Sequence, residues 1–287
     1  MKLKKLFFFV KNILFLYSNI RVTNFWFALI GRILSYRIVT DIVEDQSAID
    51  QKLSLVKTFK NEISIWLQGF LHKIVDGAVV ISTRLREKHE NIDSVVLITI
   101  SAENLLISTK KLVKEHNPVR FVYSGTFRAK DGIEELINAF VNEVKSEEGE
   151  LWFSGMAPEN LVKIIEPIPN IQFKGLIPDD EYYQYLQSSD VLLMTRTNST
   201  YANTGFPFKL GEFLATGNPV ICTNVGDVSE YLTDRTDVIL AEASNEDSLR
   251  SAFRFVLENR EKAKEIGLSG KDSCSKFFHP EKNGEIL

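Results

Sequence analysis

The stretch VRFVYSGTFRAKDGIEELINAFVNEVK, residues 119–145, decides the fold. An apolar run of strand type, Val119–Tyr123, leads into a short loop that contains two glycines and two cations. An amphipathic segment of helix type, Gly132–Lys145, follows at once. A strand, a glycine-containing loop and a helix in direct succession indicate an α/β unit with parallel strands.

The same alternation continues downstream. Further strands are predicted at Leu151–Ser154, Ile171–Lys174, Val191–Met194, Pro219–Thr223 and Asp237–Leu240. Helices are predicted at Pro158–Ile165, Asp179–Gln187, Lys209–Thr216, Asp227–Leu232, Asn245–Asn259 and Arg260–Lys276. Six strands in about 120 residues predict a complete doubly wound sheet, in which ligands lie outside the carboxyl ends of the strands.

Upstream, the pattern predicts a second, partial α/β domain. Its strands are expected at Ile13–Tyr17, Arg37–Ile42, Gly77–Ile81 and Val95–Ile100, and its helices at 22–34, 47–75 and 83–89, the last with Ser82 as N-cap. A charged stretch, Lys110–His116, and Pro118 indicate the connection between the domains. We therefore predict an N-terminal domain over 1–117 and a C-terminal domain over 118–287.

Composition limits the function classes. A formal net charge of −4 argues against a nucleic-acid binder. The two cysteines and four histidines show no metal-ligand spacing, so we expect neither a metal nor a cofactor. Residues 1–40 carry seven basic residues and no acidic one, and Lys11 splits their apolar run into pieces too short to span a bilayer.

Two interpretations of residues 1–40 stay open. They form a buried strand and helix of an α/β domain, or they form a basic, apolar surface in peripheral contact with an anionic membrane. The protein is accordingly expected in the cytoplasm or at the inner face of the membrane.

The loop SGTFRAKDG, residues 124–132, is the first motif with chemical meaning. Its two cations, Arg128 and Lys130, lie between Gly125 and the helix that Gly132 opens. Cations beside a helix N-terminus, where backbone N–H groups are free, favour an anion site. The alternative is a solvated turn in which these side chains have no partner.

The stretch GFPFKLGEFLATGNPV, residues 205–220, is the second motif. Lys209 and Glu212 are three residues apart, so both project from one face of the predicted helix. A cation for a phosphate beside a carboxylate for a ribose diol makes a nucleotide clamp. The alternative is an ordinary ion pair on a helix surface.

Together the two motifs resemble those of the retaining glycosyltransferases of family four, over about Val119 to Leu240. The resemblance implies a GT-B-like α/β fold, with a complete C-terminal Rossmann-like domain preceded by a partial Rossmann-like domain. It implies transfer of a sugar, with retention and without a metal, from a nucleotide-sugar donor to a glycan or lipid-linked acceptor.

The resemblance also implies residue roles. Arg128, Lys130 and Lys209 would act on the donor diphosphate as catalytic residues, and Glu212 would hold the ribose hydroxyls. The remaining donor-binding residues would be Gly125, Thr126, Gly175, Leu176, Ile177, Thr204, Gly205, Phe206, Pro207, Phe208 and Leu210. Thr204 stands where the family often has a glutamate, eight positions before Glu212.

Some alternatives stay open. Arg196, Asn198 and Ser199 either line the crevice or belong to a plain loop. Besides an active glycosyltransferase, the sequence allows a nucleotide-sugar-binding remnant or a subunit that a partner chain completes. A sugar-nucleotide epimerase is disfavoured because no constellation of histidines and carboxylates stands out.

Overall fold

A computed structural model describes residues 13–17, 22–43, 73–98 and 116–280, together with Ile63, Trp66 and Phe70. By their contacts the residues group into two compact units. Unit 1 comprises Met1–Leu97 with Asn203–Phe206, and unit 2 comprises Ile98–Ala202 with Pro207–Leu287. Residues 99–115 lie outside the described residues, and the predicted domain boundary after residue 117 stays a prediction.

Unit 1 contains a parallel sheet of four strands in the order β1-β2-β3-β4. Its described elements are β1 (Ile13–Leu16), α1 (Val22–Ile33), β2 (Arg37–Ile42), β3 (Gly77–Val80), α2 (Thr83–Lys88) and β4 (Ser94–Val96). The Ser82 side chain accepts a hydrogen bond from the Leu85 amide at 3.1 Å, which confirms the predicted N-cap of α2.

The expected helix over 47–75 falls largely outside the described residues. Of its positions, Ile63, Trp66 and Phe70 are helical, and Lys73 and Ile74 already lie in a turn.

Unit 2 contains a parallel sheet of six strands. Its strands are β5 (Val119–Gly125), β6 (Gly149–Gly155), β7 (Ile171–Phe173), β8 (Val191–Met194), β9 (Val220–Asn224) and β10 (Ile239–Glu242). Its helices are α3 (Ile133–Glu143), α4 (Glu159–Ile165), α5 (Asp179–Gln187), α6 (Thr200–Thr204), α7 (Phe208–Ala215), α8 (Val228–Tyr231), α9 (Glu246–Glu258) and α10 (Arg260–Phe277). Residues 203 and 204 of α6 group with unit 1.

The strand order, β10-β9-β8-β5-β6-β7, is that of a doubly wound sheet. The chain fills one half of the sheet from β5 through β7 and then crosses to β8 on the other side of β5. This reversal is the topological switch point, where such sheets bind ligands. The predicted α/β class and the six-stranded sheet are both confirmed.

Aromatic side chains form part of the core of unit 2. Phe121, Phe140 and Phe253 are fully buried, and their rings meet edge to face with centroids 5.2–5.8 Å apart. These contacts hold α3 and α9 side by side against β5, the strand that leads into the first motif.

Three local differences from the sequence predictions have physical reasons. Gly132 adopts a left-handed conformation, with φ 62°, so α3 begins at Ile133 behind a short 3-10 turn, Ala129–Asp131. The five-residue helix α6 was expected to be loop, since it is too short for an apolar period. The last strand starts at Ile239 because the Asp237 carboxylate accepts a hydrogen bond from the Thr233 amide and holds a turn there.

Among the described residues, none of the helices combines the length and the apolar character needed to cross a bilayer.

Candidate functional site

Three neighbouring strands of unit 2 end at a glycine or shortly before one. Ser124-Gly125 at the end of β5 lies in register with Ser154-Gly155 at the end of β6. The Gly155 amide donates a hydrogen bond of 2.8 Å to the carbonyl of Gly175, which follows β7. Gly155 has φ 122°, and a Cβ placed on it would overlap the carbonyl oxygen of Gly125. Glycine is therefore required at this point of contact between β5 and β6.

An open cavity of about 310 Å³ lies over these strand ends. Its walls come from the loops after β6 and β7 and from helices α5 and α7, all within unit 2. The lining residues are Ser124, Gly125, Thr126, Ser154, Gly155, Met156, Leu176, Ile177, Asp179, Tyr182, Lys209 and Glu212. We call this space the strand-end cavity.

Helix α7 brings a cation and a carboxylate into the strand-end cavity. Lys209, in its first turn, donates a hydrogen bond of 3.1 Å from Nζ to the carbonyl of Ser124. Burial lowers the pKa of Lys209, and the negative charges of Glu212 and Asp131 act in the opposite direction. The net lowering means that the ammonium is incompletely compensated, so an added anion would stabilise it.

A buried carboxylate, Asp131, organises the loop after β5. Its Oδ2 accepts a hydrogen bond of 2.8 Å from the Arg128 amide, and its own carbonyl accepts one of 2.7 Å from the Thr195 hydroxyl. The hydroxyl of Tyr123 lies near Asp131, and burial together with the negative charge of this carboxylate holds the pKa of Tyr123 well above its ordinary value. Asp131 thus ties the loop after β5 to the loop after β8.

Arg196, just after β8, is half-buried near this carboxylate. Burial lowers the pKa of its guanidinium, while the negative charge of Asp131 acts in the opposite direction. Arg196 lies in the loop after β8, as one sequence interpretation has it, and is not among the residues that line the strand-end cavity.

The structure brings about half of the predicted donor-binding residues together. Lys209, Glu212 and four others line the strand-end cavity, these four being Gly125, Thr126, Leu176 and Ile177. Gly175 lies directly beside it through its hydrogen bond to Gly155. Met156 and Leu176 expose apolar side chains at the cavity.

The other predicted residues lie elsewhere. Arg128 is exposed and lines a different cavity of about 660 Å³ between α3 and α4, and the ammonium of Lys130 lies 4.5 Å from the ring centre of Tyr201. Neither cation is among the residues that line the strand-end cavity with Lys209.

The remaining predicted residues belong to the second motif. Thr204, Gly205 and Phe206 are buried and group with unit 1, where the carbonyl of Thr204 accepts a hydrogen bond of 2.6 Å from the Ser82 hydroxyl. Pro207 precedes α7, Phe208 is exposed, and the Leu210 side chain is fully buried in the core instead of facing the strand-end cavity. The binding roles of these residues stay predictions.

Sequence reasoning missed six lining residues. The sequence contained a signal for Ser154 and Gly155, because β6 ends in the same Ser-Gly pair as β5. The others are Ser124, Met156, Asp179 and Tyr182. Tyr182 carries no motif, and only the packing of α5 brings it to this place.

Comparison with known proteins identifies the region that carries the cavity. Residues 118–259, about half of the chain, match the family model described as Glycosyl transferases group 1. These residues form a glycosyl transferases group 1 domain. The strand-end cavity lies entirely within this domain.

Two curated relatives of the glycosyl transferases group 1 domain match over similar lengths. The putative teichuronic acid biosynthesis glycosyltransferase TuaH of Bacillus subtilis is 26% identical over 163 residues, which cover 56% of this chain and 40% of that protein. An uncharacterized glycosyltransferase of Methanocaldococcus jannaschii is 26% identical over 160 residues, 54% of this chain and 43% of that protein. Each match spans less than half of the relative's length.

Solved structures show the fold over nearly the whole chain. Sucrose-phosphate synthase from Thermosynechococcus elongatus superposes with a TM-score of 0.74 at 15% identity, covering 96% of this chain and 71% of that one. Anabaena HepE in complex with UDP-glucose gives 0.74 at 15% identity, with 95% and 78% covered. At such low identity the likeness establishes the fold alone, the GT-B type with two parallel α/β sheets.

Proposed function

We propose that the chain is a glycosyltransferase that binds a nucleotide-sugar donor in the strand-end cavity and transfers the sugar to a glycan or lipid-linked acceptor with retention of configuration. The observation that carries the proposal is the geometry of α7 over the glycine strand ends. One helix face brings the Lys209 ammonium and the Glu212 carboxylate into a cavity whose floor is backbone.

The chemistry of the cavity fits a nucleoside diphosphate. Lys209 is a partly desolvated cation, for which a phosphate is a suitable partner. The Glu212 carboxylate only accepts hydrogen bonds and suits the hydroxyls of a ribose. Met156 and Leu176 offer exposed apolar surface for the face of a base.

Lys209 also suits the transfer step. When the bond between the sugar and the diphosphate breaks, negative charge grows on the leaving phosphate, and a cation already in place stabilises that charge more than the ground state. We propose that Lys209 supplies this stabilisation without a metal. HepE has been solved with UDP and with UDP-glucose, which makes uridine nucleotides the first donors to test.

Calorimetric titration tests the proposal. UDP, GDP, ADP and CDP are titrated into the protein and into Lys209→Ala, which we expect to bind the preferred nucleotide more weakly by ~1–3 kcal/mol, as for a charge-assisted contact. Lys163→Ala is the matched control, since Lys163 pairs with Glu159 on the exposed face of α4 outside the cavity. Arg128→Ala tests whether the exposed cation predicted from the sequence reaches the diphosphate.

A transfer assay completes the test. The protein is incubated with the preferred nucleotide sugar and a membrane extract as the source of acceptor, and released nucleoside diphosphate is measured. The proposal would be refuted if none of the four nucleotides bound to the protein. Donor binding without any release would favour a donor-binding subunit over an active transferase.

A further inference from the structure

Two hydroxyl groups, on residues that line the strand-end cavity, are buried without a hydrogen-bond partner among the described residues. They are Ser154 Oγ, at the end of β6, and Tyr182 Oη, on α5. A buried hydroxyl that makes no hydrogen bond is costly and uncommon in folded proteins. Two of them at one cavity indicate that a ligand completes their hydrogen bonds.

The two hydroxyls have different neighbours. The Ser154 side chain lies near the hydroxyl of Tyr185, which follows Tyr182 by about one helical turn on α5. Tyr182 lies near the Ser124 side chain, which influences its pKa although the pair does not meet hydrogen-bond geometry. Only the Tyr182 hydroxyl also feels the charge of Glu212, the predicted ribose ligand.

Tyr182 and Glu212 are complementary as hydrogen-bonding groups. Burial raises the pKa of Tyr182 to about 12, and the negative charge of Glu212 contributes to the rise, so the phenol keeps its proton at neutral pH. The Tyr182 hydroxyl can therefore donate, whereas the Glu212 carboxylate can only accept. A ribose diol matches this pair, because one hydroxyl can donate to Glu212 while the oxygen of the other accepts from Tyr182.

We propose that Tyr182 and Glu212 together hold the ribose of the nucleotide donor, and that Tyr182 makes the site distinguish ribonucleotides from deoxyribonucleotides. The inference rests on the proposed function, since it requires a nucleotide in the strand-end cavity. Tyr182 is a specificity-determining residue in this scheme.

The chain offers a matched control on the same helix. Tyr185 also carries a buried hydroxyl without a hydrogen-bond partner, and burial raises its pKa to about 12, but it does not line the cavity. Tyr182→Phe and Tyr185→Phe therefore remove the same atom from similar surroundings. Only Tyr182→Phe removes a hydroxyl from a residue that lines the strand-end cavity.

The experiment compares ribose and deoxyribose forms of one nucleotide. Whichever of UDP, GDP, ADP and CDP binds most tightly is titrated, with its 2′-deoxy and 3′-deoxy forms, into the wild type and both variants. We expect the wild type to bind the ribose form about tenfold more tightly than at least one deoxy form, as one hydrogen bond to a buried group supplies. In Tyr182→Phe the ribose form should lose about tenfold, while that deoxy form keeps its affinity.

A stability measurement separates a binding role from a structural one. Because the Tyr182 hydroxyl makes no hydrogen bond in the unliganded protein, Tyr182→Phe should unfold at the wild-type temperature or slightly above it. Tyr185→Phe should keep the wild-type preference for ribose.

Other outcomes overturn the inference in distinguishable ways. If a nucleotide binds but Tyr182→Phe weakens the ribose and deoxy forms equally, or weakens neither, Tyr182 does not recognise the ribose. If none of the nucleotides binds the wild type, the proposed function itself fails and this inference with it.

Discussion

Substituting Gly155 with alanine tests the close approach of β5 and β6 beneath the strand-end cavity. Gly155 has φ 122°, and its new methyl group would overlap the carbonyl oxygen of Gly125 on the neighbouring strand. Gly175 provides the matched control. Its φ of 69° is also positive, but a methyl group there would meet nothing within 4 Å.

The two substitutions separate backbone strain from overlap. A positive φ costs an alanine ~1–2 kcal/mol, and this is the whole expected cost at Gly175. At Gly155 the overlap forces one strand end to move, which adds ~1–3 kcal/mol, as for overpacking of a core. Gly155→Ala should therefore lose roughly 3 kcal/mol or more of its free energy of unfolding.

Thermal unfolding followed by circular dichroism measures the difference. One kcal/mol shifts the midpoint by about 2–4 °C for a protein of this size class, so Gly155→Ala should melt roughly 6–12 °C below the wild type. Gly175→Ala should melt about 2–8 °C below it. Equal losses in the two variants would refute the reasoning, because the overlap with Gly125 would then cost nothing.

Three further predictions follow from other contacts. Nucleotide binding should weaken as the pH rises through the pKa of Lys209, which burial lowers from the value of about 10.4 for an ordinary lysine. Lys209→Arg should show no such loss of binding in titrations across this pH range. Arg254 lies 2.7 Å from Glu143, so Arg254→Ala should cost about 1 kcal/mol at pH 7 in urea unfolding. Because the Arg254 hydrogen bond lowers the pKa of Glu143, this stabilisation is present at neutral pH and is lost in acid. The free energies of unfolding of wild type and variant should therefore converge as the pH falls, and a difference that stays constant with pH would contradict the prediction. On α1, the side chains of Trp26 and Phe27 are 57% and 60% exposed. A variant with both residues replaced by serine should sediment less with anionic vesicles than the wild type. Equal sedimentation would rule out this face of α1 as the membrane contact.

Much of the fold could be predicted from the order of apolar runs. The strands β5 to β9 are short, apolar and separated by amphipathic helices, so each was placed within a few residues of its observed bounds. The details that were missed depend on tertiary contacts. The turn before β10 is fixed by Asp237, and the backbone of Gly125 extends β5 because it pairs with Gly155 of another strand.

From residue spacing alone, the site was predictable only where its geometry is local. Lys209 and Glu212 share a helix face three residues apart, which the sequence alone specifies. Arg128 was grouped with them because it lies near Gly125 in sequence, but the loop turns its side chain toward a separate cavity. Tyr182 could not be found from the sequence, because its place depends on how α5 packs against β5 and β6.

The glycine floor of the strand-end cavity has a consequence for directed evolution of the donor preference that we propose. Gly125 and Gly155 present main-chain atoms alone, and substitution of Gly155 displaces a strand before it can change the chemistry of the floor. Altered preference therefore has to come from the walls. A library that keeps the glycines fixed and varies Leu176, Ile177 and Asp179 would change what the ligand meets while leaving the scaffold beneath it intact.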